Sequence, residues 1–160
     1  MKEYLPIVST LITIYGNYFI PRYFGTNVGF VANKYKLEVQ PAGWNFSIWG
    51  IIYSSLVFLT YKLAQNEIFW SNYAITLYIF SCIFNLSWLY FWFKDKPNIS
   101  QYMLIGIVLT LSLLWYNNLG FSDKRIYQNI ISVYLAWTLG ASLLNIFIVK
   151  NSKKKDINNS

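Results

Sequence analysis

Five long stretches without a charged residue dominate this sequence. They cover residues 4–21, 39–61, 68–93, 97–122 and 126–149, and all 13 Lys and Arg and all 6 Asp and Glu lie outside them. A helix needs about 20 mostly apolar residues to cross a hydrocarbon core about 30 Å thick, and each stretch is long enough, the first only just. The sequence therefore predicts an all-α, polytopic membrane protein, a bundle of five transmembrane helices.

Pro and Gly residues between the stretches indicate where the helices begin and end. We expect a single five-helix domain over residues 1–150. The expected spans are residues 5–21, 44–61, 71–93, 98–116 and 126–149. Residues 151–160 are polar and basic, and they predict a disordered tail whose lysines anchor it at anionic headgroups.

Positive charges are unevenly divided between the two ends of the predicted bundle. Lys and Arg are retained preferentially on the cytoplasmic side of a membrane. One end carries Lys2, Lys62, Lys124 and Arg125, and the other carries Arg22, Lys34, Lys36, Lys94, Lys96, Lys150, Lys153, Lys154 and Lys155. We therefore expect the N-terminus outside and the C-terminus in the cytoplasm, in a prokaryotic cytoplasmic membrane or, in a eukaryote, an organelle membrane.

The composition weakens several functional classes. The chain has no His, which is the usual general base at neutral pH and the commonest metal ligand. The predicted spans hold no ionisable Asp, Glu, Lys or Arg, which proton relays, voltage sensors and charged ion pathways require. We expect no catalytic residue, no metal site, no required cofactor and no nucleic-acid partner. The net charge of +7 needs no nucleic acid to explain it, since the lipid bilayer is the expected partner.

Aromatic and neutral polar side chains recur at helical spacing within the spans, as with Trp49 and Tyr53 in the second. For a single aromatic residue, packing or anchoring at the headgroups is the simpler explanation. Taken together, they favour a cavity with flat walls that suits a rigid apolar ligand. Asn85 and Asn145 lie near the middle of their spans, so each amide must bond either another helix or a ligand.

An ordered set of motifs along the chain resembles the TspO/MBR family, the tryptophan-rich sensory proteins also called translocator protein or peripheral benzodiazepine receptor. The likeness covers about residues 5–150. Its motifs are the segment 40–53, which reads QPAGWNFSIWGIIY, then Asn85, Trp88, Trp92-Phe93, Trp115-Tyr116, Tyr134-Leu135-Ala136-Trp137 and Asn145. Prolines usual in the family are replaced around Ser47-Ile48 and Leu89-Tyr90, which indicates a divergent branch.

The resemblance implies a five-helix bundle, commonly a homodimer, that binds porphyrins, sterols and benzodiazepine-like drugs. The ligand-binding residues implied are Trp49, Tyr53, Asn85, Phe91, Trp115, Trp137, Ala141 and Leu144, and to these we add Asn145. Lys34, Lys36 and Trp44 are expected at the cavity mouth, where the two lysines can pair with ligand carboxylates.

We therefore expect an integral membrane protein that binds a flat hydrophobic ligand in a sensing, transport or clearance role. A porphyrin is the expected ligand and a sterol-like molecule is the other candidate. Two alternatives stay open at this point: a small transporter or half-transporter for another apolar solute, and a membrane scaffold whose aromatic residues only pack. We do not expect an enzyme, although light-dependent porphyrin breakdown is compatible with the sequence.

Overall fold

The computed structural model describes residues 2–28, 30, 34, 47–117 and 125–158, the last six as backbone only. These residues form a short 3-10 turn at Lys2–Tyr4 followed by five α-helices. The helices are α1 (Leu5–Tyr23), α2 (Ile48–Ala64), α3 (Asn72–Phe93), α4 (Pro97–Asn117) and α5 (Arg125–Asn158). The described part of the chain contains no strand, so the predicted all-α architecture of five helices is confirmed.

Three of the helices are long and apolar enough to cross a membrane: α3, α4 and residues 125–152 of α5. Helix α2 is apolar as well but has 17 residues. Helix α1 has 19 residues and carries polar side chains at Ser9, Thr10, Thr13 and Asn17. These polar side chains make α1 less apolar than an ordinary lipid-facing span.

The largest differences between the observed and the expected helix ends occur at two places. Helix α2 begins at Ile48 rather than at residue 44, and residues 44–46 lie outside the described part of the chain. Helix α5 continues to Asn158, whereas the sequence predicts a disordered tail from residue 151. The chain has no Gly or Pro after Gly140, and Lys is a good helix former, so nothing local ends the helix at the membrane boundary.

The helices pack in a closed ring. Helix α1 packs against α2 and α3, α3 against α4, α4 against α5, and α5 returns to α2. The order around the ring is therefore α1, α2, α5, α4, α3. This order places α2 and α3 on either side of the interior, where side chains rather than backbones must fill the space between them.

Two glycines allow close helix contacts. A Cβ built on Gly16 of α1 would overlap a methyl carbon of Leu86 in α3. One built on Gly106 of α4 would come 2.9 Å from ring atoms of Phe84, also in α3. Small residues permit such approach between membrane helices, and here they bring α1 and α4 onto opposite sides of α3.

Two described contacts show which segments lie at each end of the bundle. At one end the Lys2 Nζ donates to Asn72 Oδ1 at 2.9 Å, joining the N-terminus to the start of α3. At the other end Lys34, beyond α1, forms an ion pair with Asp95 in the turn between α3 and α4. Lys34 and the turn between α3 and α4 therefore lie at the same end of the bundle, opposite the N-terminus.

Candidate functional site

A cavity of about 530 Å³ lies between α1, α2 and α3. Helix α1 contributes one wall, which consists of Ile14, Asn17, Tyr18 and Pro21. The facing wall consists of Trp49 and Tyr53 of α2 and Trp88 and Leu89 of α3, and Asn27 and Val28 contribute from beyond the end of α1. None of these residues carries a charge, so the cavity suits a neutral or largely apolar molecule.

Trp49 is the centre of an aromatic cluster at the facing wall. Its ring stacks on Tyr53 with centroids 5.4 Å apart, and on Trp88 with centroids 5.7 Å apart. It also meets Tyr134 and Trp137 of α5 edge to face, at 6.1 and 6.2 Å. Offset stacks and edge contacts at such distances are the favourable arrangements of aromatic rings. The cluster joins three helices and fixes one flat indole beside the cavity.

Asn85 of α3 is the centre of a hydrogen-bond network that joins four helices. Its Oδ1 accepts from Asn17 Nδ2 of α1 at 2.9 Å and from the Tyr53 hydroxyl of α2 at 3.3 Å. Its Nδ2 donates to the Tyr134 hydroxyl of α5 at 3.0 Å. Asn85 has no solvent exposure, and an amide buried in this way must be paired internally, as it is here.

The side of α1 that faces the interior of the bundle is polar because its short polar residues recur along one face. Thr10, Thr13 and Asn17 are spaced by three and four residues, so they lie on one side of the helix. Thr10 shares a 2.6 Å hydrogen bond with the Tyr78 hydroxyl of α3, and the Thr13 hydroxyl donates to the carbonyl of Ser9. This face directs Asn17 to the interior of the bundle.

Over nearly its whole length, at residues 3–158, the sequence matches a protein family described as TSPO-like protein. This chain belongs to the TSPO-like protein family. The resemblance noted from the motifs is thereby confirmed. Comparison with curated proteins and comparison with solved structures each found no match.

The residues that the TspO/MBR resemblance implied as a site divide into two groups in this TSPO-like protein. Trp49 and Tyr53 line the cavity, Asn85 lies behind Tyr53 and Asn17, and Trp137 touches Trp49 from α5. The structure brings these residues together around one space.

The other expected site residues lie away from that cavity wall. The Trp115 Nε1 donates to the Ser132 hydroxyl at 2.9 Å, which joins α4 to α5. Phe91 contacts Tyr90 edge to face, and Ala141 packs against the hydrophobic core. Leu144 is half-buried on α5.

Asn145 is buried between α5 and α4. Its Nδ2 donates to the Pro97 carbonyl at 3.3 Å, and its Oδ1 has no hydrogen-bond partner among the described residues. The sequence left open whether this amide bonds another helix or a ligand. The described contact is with another helix.

At the expected cavity mouth, Lys34 is exposed and paired with Asp95. Lys36 and Trp44 lie outside the described residues. A role for Lys34 toward ligand carboxylates therefore competes with its own ion pair.

Sequence reasoning missed Asn17 and Trp88 as wall residues. Asn17 is an amide in a charge-free stretch, just as Asn85 is, and the same argument about an amide that needs a partner would have found it. Trp88 belongs to the family motif, but its place in the wall depends on how α3 turns toward α2. Its spacing from Asn85 puts the two on one face, and the structure shows that this face is directed to the interior.

Proposed function

We propose that this TSPO-like protein binds a flat, largely apolar ligand between α1, α2 and α3, in a sensing, transport or clearance role. A porphyrin is the first ligand to test. The observation that carries the proposal is the uncharged cavity of about 530 Å³ with the stacked Trp49, Tyr53 and Trp88 along one side. Small-molecule sites in proteins are commonly about 300–1,000 Å³ and mostly apolar.

The aromatic wall supports a flat ligand in particular. Trp49 is half-buried, although it contacts four other aromatic rings. A rigid ring system that stacks beside it gains apolar burial and loses little conformational freedom. The cluster around Trp49 holds the indole in place before a ligand arrives, which reduces the entropy lost on binding.

The wall residue Trp88 also has a buried polar group without a partner among the described residues. Trp88 is 5% exposed, and its indole N–H has no hydrogen-bond partner among the described residues. A buried donor without a partner is costly. A ligand carbonyl or carboxylate that reaches this N–H would remove that cost and orient the ligand.

The test is a titration of the purified protein with protoporphyrin, followed by tryptophan fluorescence. Wild type is expected to show saturable quenching, and Trp49→Leu is expected to weaken the affinity by about fivefold or more, as loss of one stacking contact predicts. Trp70→Leu is the matched control, because Trp70 is also half-buried but packs on Tyr78, outside the cavity wall.

The outcomes separate the proposed function from its rivals. Equal affinities in wild type and Trp49→Leu, with helical content preserved, would place the ligand elsewhere. Absence of saturable quenching by protoporphyrin or a sterol would favour a scaffold in which the aromatic residues only pack. Flux of a bound ligand across proteoliposomes would favour the transporter. The homodimer that the resemblance implies stays a prediction, and the oligomeric state of the same purified protein tests it.

A further inference from the structure

Asn17 uses both of its amide hydrogens within the protein. Its Nδ2 donates to the backbone carbonyl of Thr13 at 2.9 Å and to Asn85 Oδ1 at 2.9 Å. A side-chain amide has two donor hydrogens and one carbonyl oxygen. The only hydrogen-bonding capacity that Asn17 has left is therefore the acceptor capacity of its Oδ1.

The oxygen and nitrogen of a side-chain amide have similar shapes, so the orientation of Asn17 is assigned from its hydrogen-bond partners. The Thr13 carbonyl can only accept a hydrogen bond, so the group that faces it must be the NH₂ of Asn17. That same NH₂ faces Asn85, which must then present Oδ1. A reversed Asn17 would place its oxygen against the Thr13 carbonyl and lose the bond.

Asn85 has little left to offer a ligand in this arrangement. Its Oδ1 accepts from Asn17 and Tyr53, its Nδ2 donates to Tyr134, and the residue is fully buried. Asn85 is thus a positioning residue that holds Asn17 and Tyr53. Asn17, in contrast, lies in the cavity wall, and its Oδ1 accepts no hydrogen bond from the described residues.

We infer that Asn17 selects the ligand by its carbonyl oxygen, so that the preferred ligand is a flat apolar molecule that carries a hydrogen-bond donor, a hydroxyl or an N–H. This inference rests on the proposed function of the cavity. A ligand without a donor would displace water from Asn17 Oδ1 and form no hydrogen bond in its place. Asn17 Oδ1 would then be a buried acceptor without a partner, which is costly. Sites built to bond a ligand group discriminate most strongly against the analogue that lacks it.

Asn27 supplies a natural control within the same wall. Its Oδ1 already has a partner, the backbone N–H of Phe30 at 2.8 Å, whereas neither hydrogen of its NH₂ bonds a described residue. The group without a described partner is thus a donor in Asn27 and an acceptor in Asn17. Replacing Asn27 should leave the preference for a donor-bearing ligand unchanged.

The experiment compares 1-hydroxypyrene with 1-methoxypyrene, which share the same flat ring system and differ in the donor hydrogen. Affinities are measured by quenching of tryptophan fluorescence for wild type, Asn17→Leu and Asn27→Leu. In wild type the hydroxy compound is expected to bind about fivefold more tightly, the size of one net hydrogen bond. The ratio should fall to about 1 in Asn17→Leu and persist in Asn27→Leu.

Two results would overturn the inference while the proposed function stands: equal binding of both probes by wild type, or an unchanged ratio in Asn17→Leu. The wild-type comparison needs no folded variant, so it decides the matter even if Asn17→Leu fails to fold. If neither pyrene probe nor protoporphyrin binds saturably, the proposed function fails and the inference fails with it.

Discussion

The indole rings of Trp49 and Trp88 stack with their centroids 5.7 Å apart and their planes inclined by 29°. The two residues belong to α2 and α3, whose backbones pack mainly against other helices of the ring. The two helices therefore meet through long aromatic side chains across the interior. The same rings form a wall of the cavity, so packing and the candidate site depend on the same residues.

The Asn85 network predicts a loss of stability when the amide is removed. Asn85→Leu would leave Asn17, Tyr53 and Tyr134 without their shared partner in the interior. We expect the free energy of unfolding to fall by about 2 kcal/mol, in the range for buried groups that lose their partners. Thermal unfolding in detergent measures it. Asn117→Leu is the control, since Asn117 is exposed and bonds its own helix; equal shifts in both variants would contradict the prediction.

Trp137 is expected to act on the ligand through Trp49. It meets the Trp49 ring edge to face at 6.2 Å and is not part of the described cavity wall. Trp137→Ala should weaken porphyrin binding by less than Trp49→Leu, because Trp137 contacts Trp49 and does not line the cavity. Trp137→Phe should restore most of the affinity by restoring an aromatic contact. A loss larger than that of Trp49→Leu would mean that Trp137 touches the ligand directly.

Asn145 should affect neither binding nor stability strongly. Its bond to the Pro97 carbonyl is long, at 3.3 Å, and its Oδ1 is buried without a partner among the described residues. Asn145→Leu removes both the bond and the unpaired acceptor. We expect unchanged porphyrin affinity and a stability change within about 0.6 kcal/mol, the mean for hydrogen bonds between membrane helices. A clear loss of affinity at unchanged melting temperature would instead support a role in ligand binding.

Two glycines within helices predict opposite effects of the same substitution. Gly106→Ala would place a methyl group 2.9 Å from the Phe84 ring, whereas the methyl group of Gly140→Ala would have no neighbouring atom of the described residues within 4 Å. Overpacking costs about 1–3 kcal/mol, so Gly106→Ala should be destabilising. Alanine is favoured over glycine in a helix by up to about 1 kcal/mol, so Gly140→Ala should be neutral or stabilising. Melting temperatures of both variants in one detergent provide the comparison.

The orientation in the membrane stays a prediction from the distribution of Lys and Arg. The ion pair between Lys34 and Asp95 places Lys34 and the turn between α3 and α4 at one end of the bundle, and we expect that end to face the cytoplasm. Reporter fusions at Asp95 and after the C-terminus should both report a cytoplasmic location, and one at Asn66 an external location. An external signal from either of the first two would contradict it.

Helix content and approximate spans followed from the sequence because both depend on local features. Long charge-free runs define apolar helices, and the turns between them carry residues that end helices. Asn66 and Asp95, which adopt positive φ of 58°, lie in such turns after α2 and α3. The family could also be inferred from the sequence, because the order of its motifs along the chain does not depend on how the helices pack.

The cavity wall and the direction of each amide were decided by the tertiary structure alone. Helical spacing places Asn145 and Asn85 on faces of their helices, but it does not say which neighbour each face meets. The order of helices around the ring turns Asn85 to Asn17, Tyr53 and Tyr134, and turns Asn145 to the start of α4. The two asparagines thus differ in role because a hydrogen bond needs its partner within about 3 Å. The packing of all five helices sets that distance, and the sequence of a single helix does not determine it.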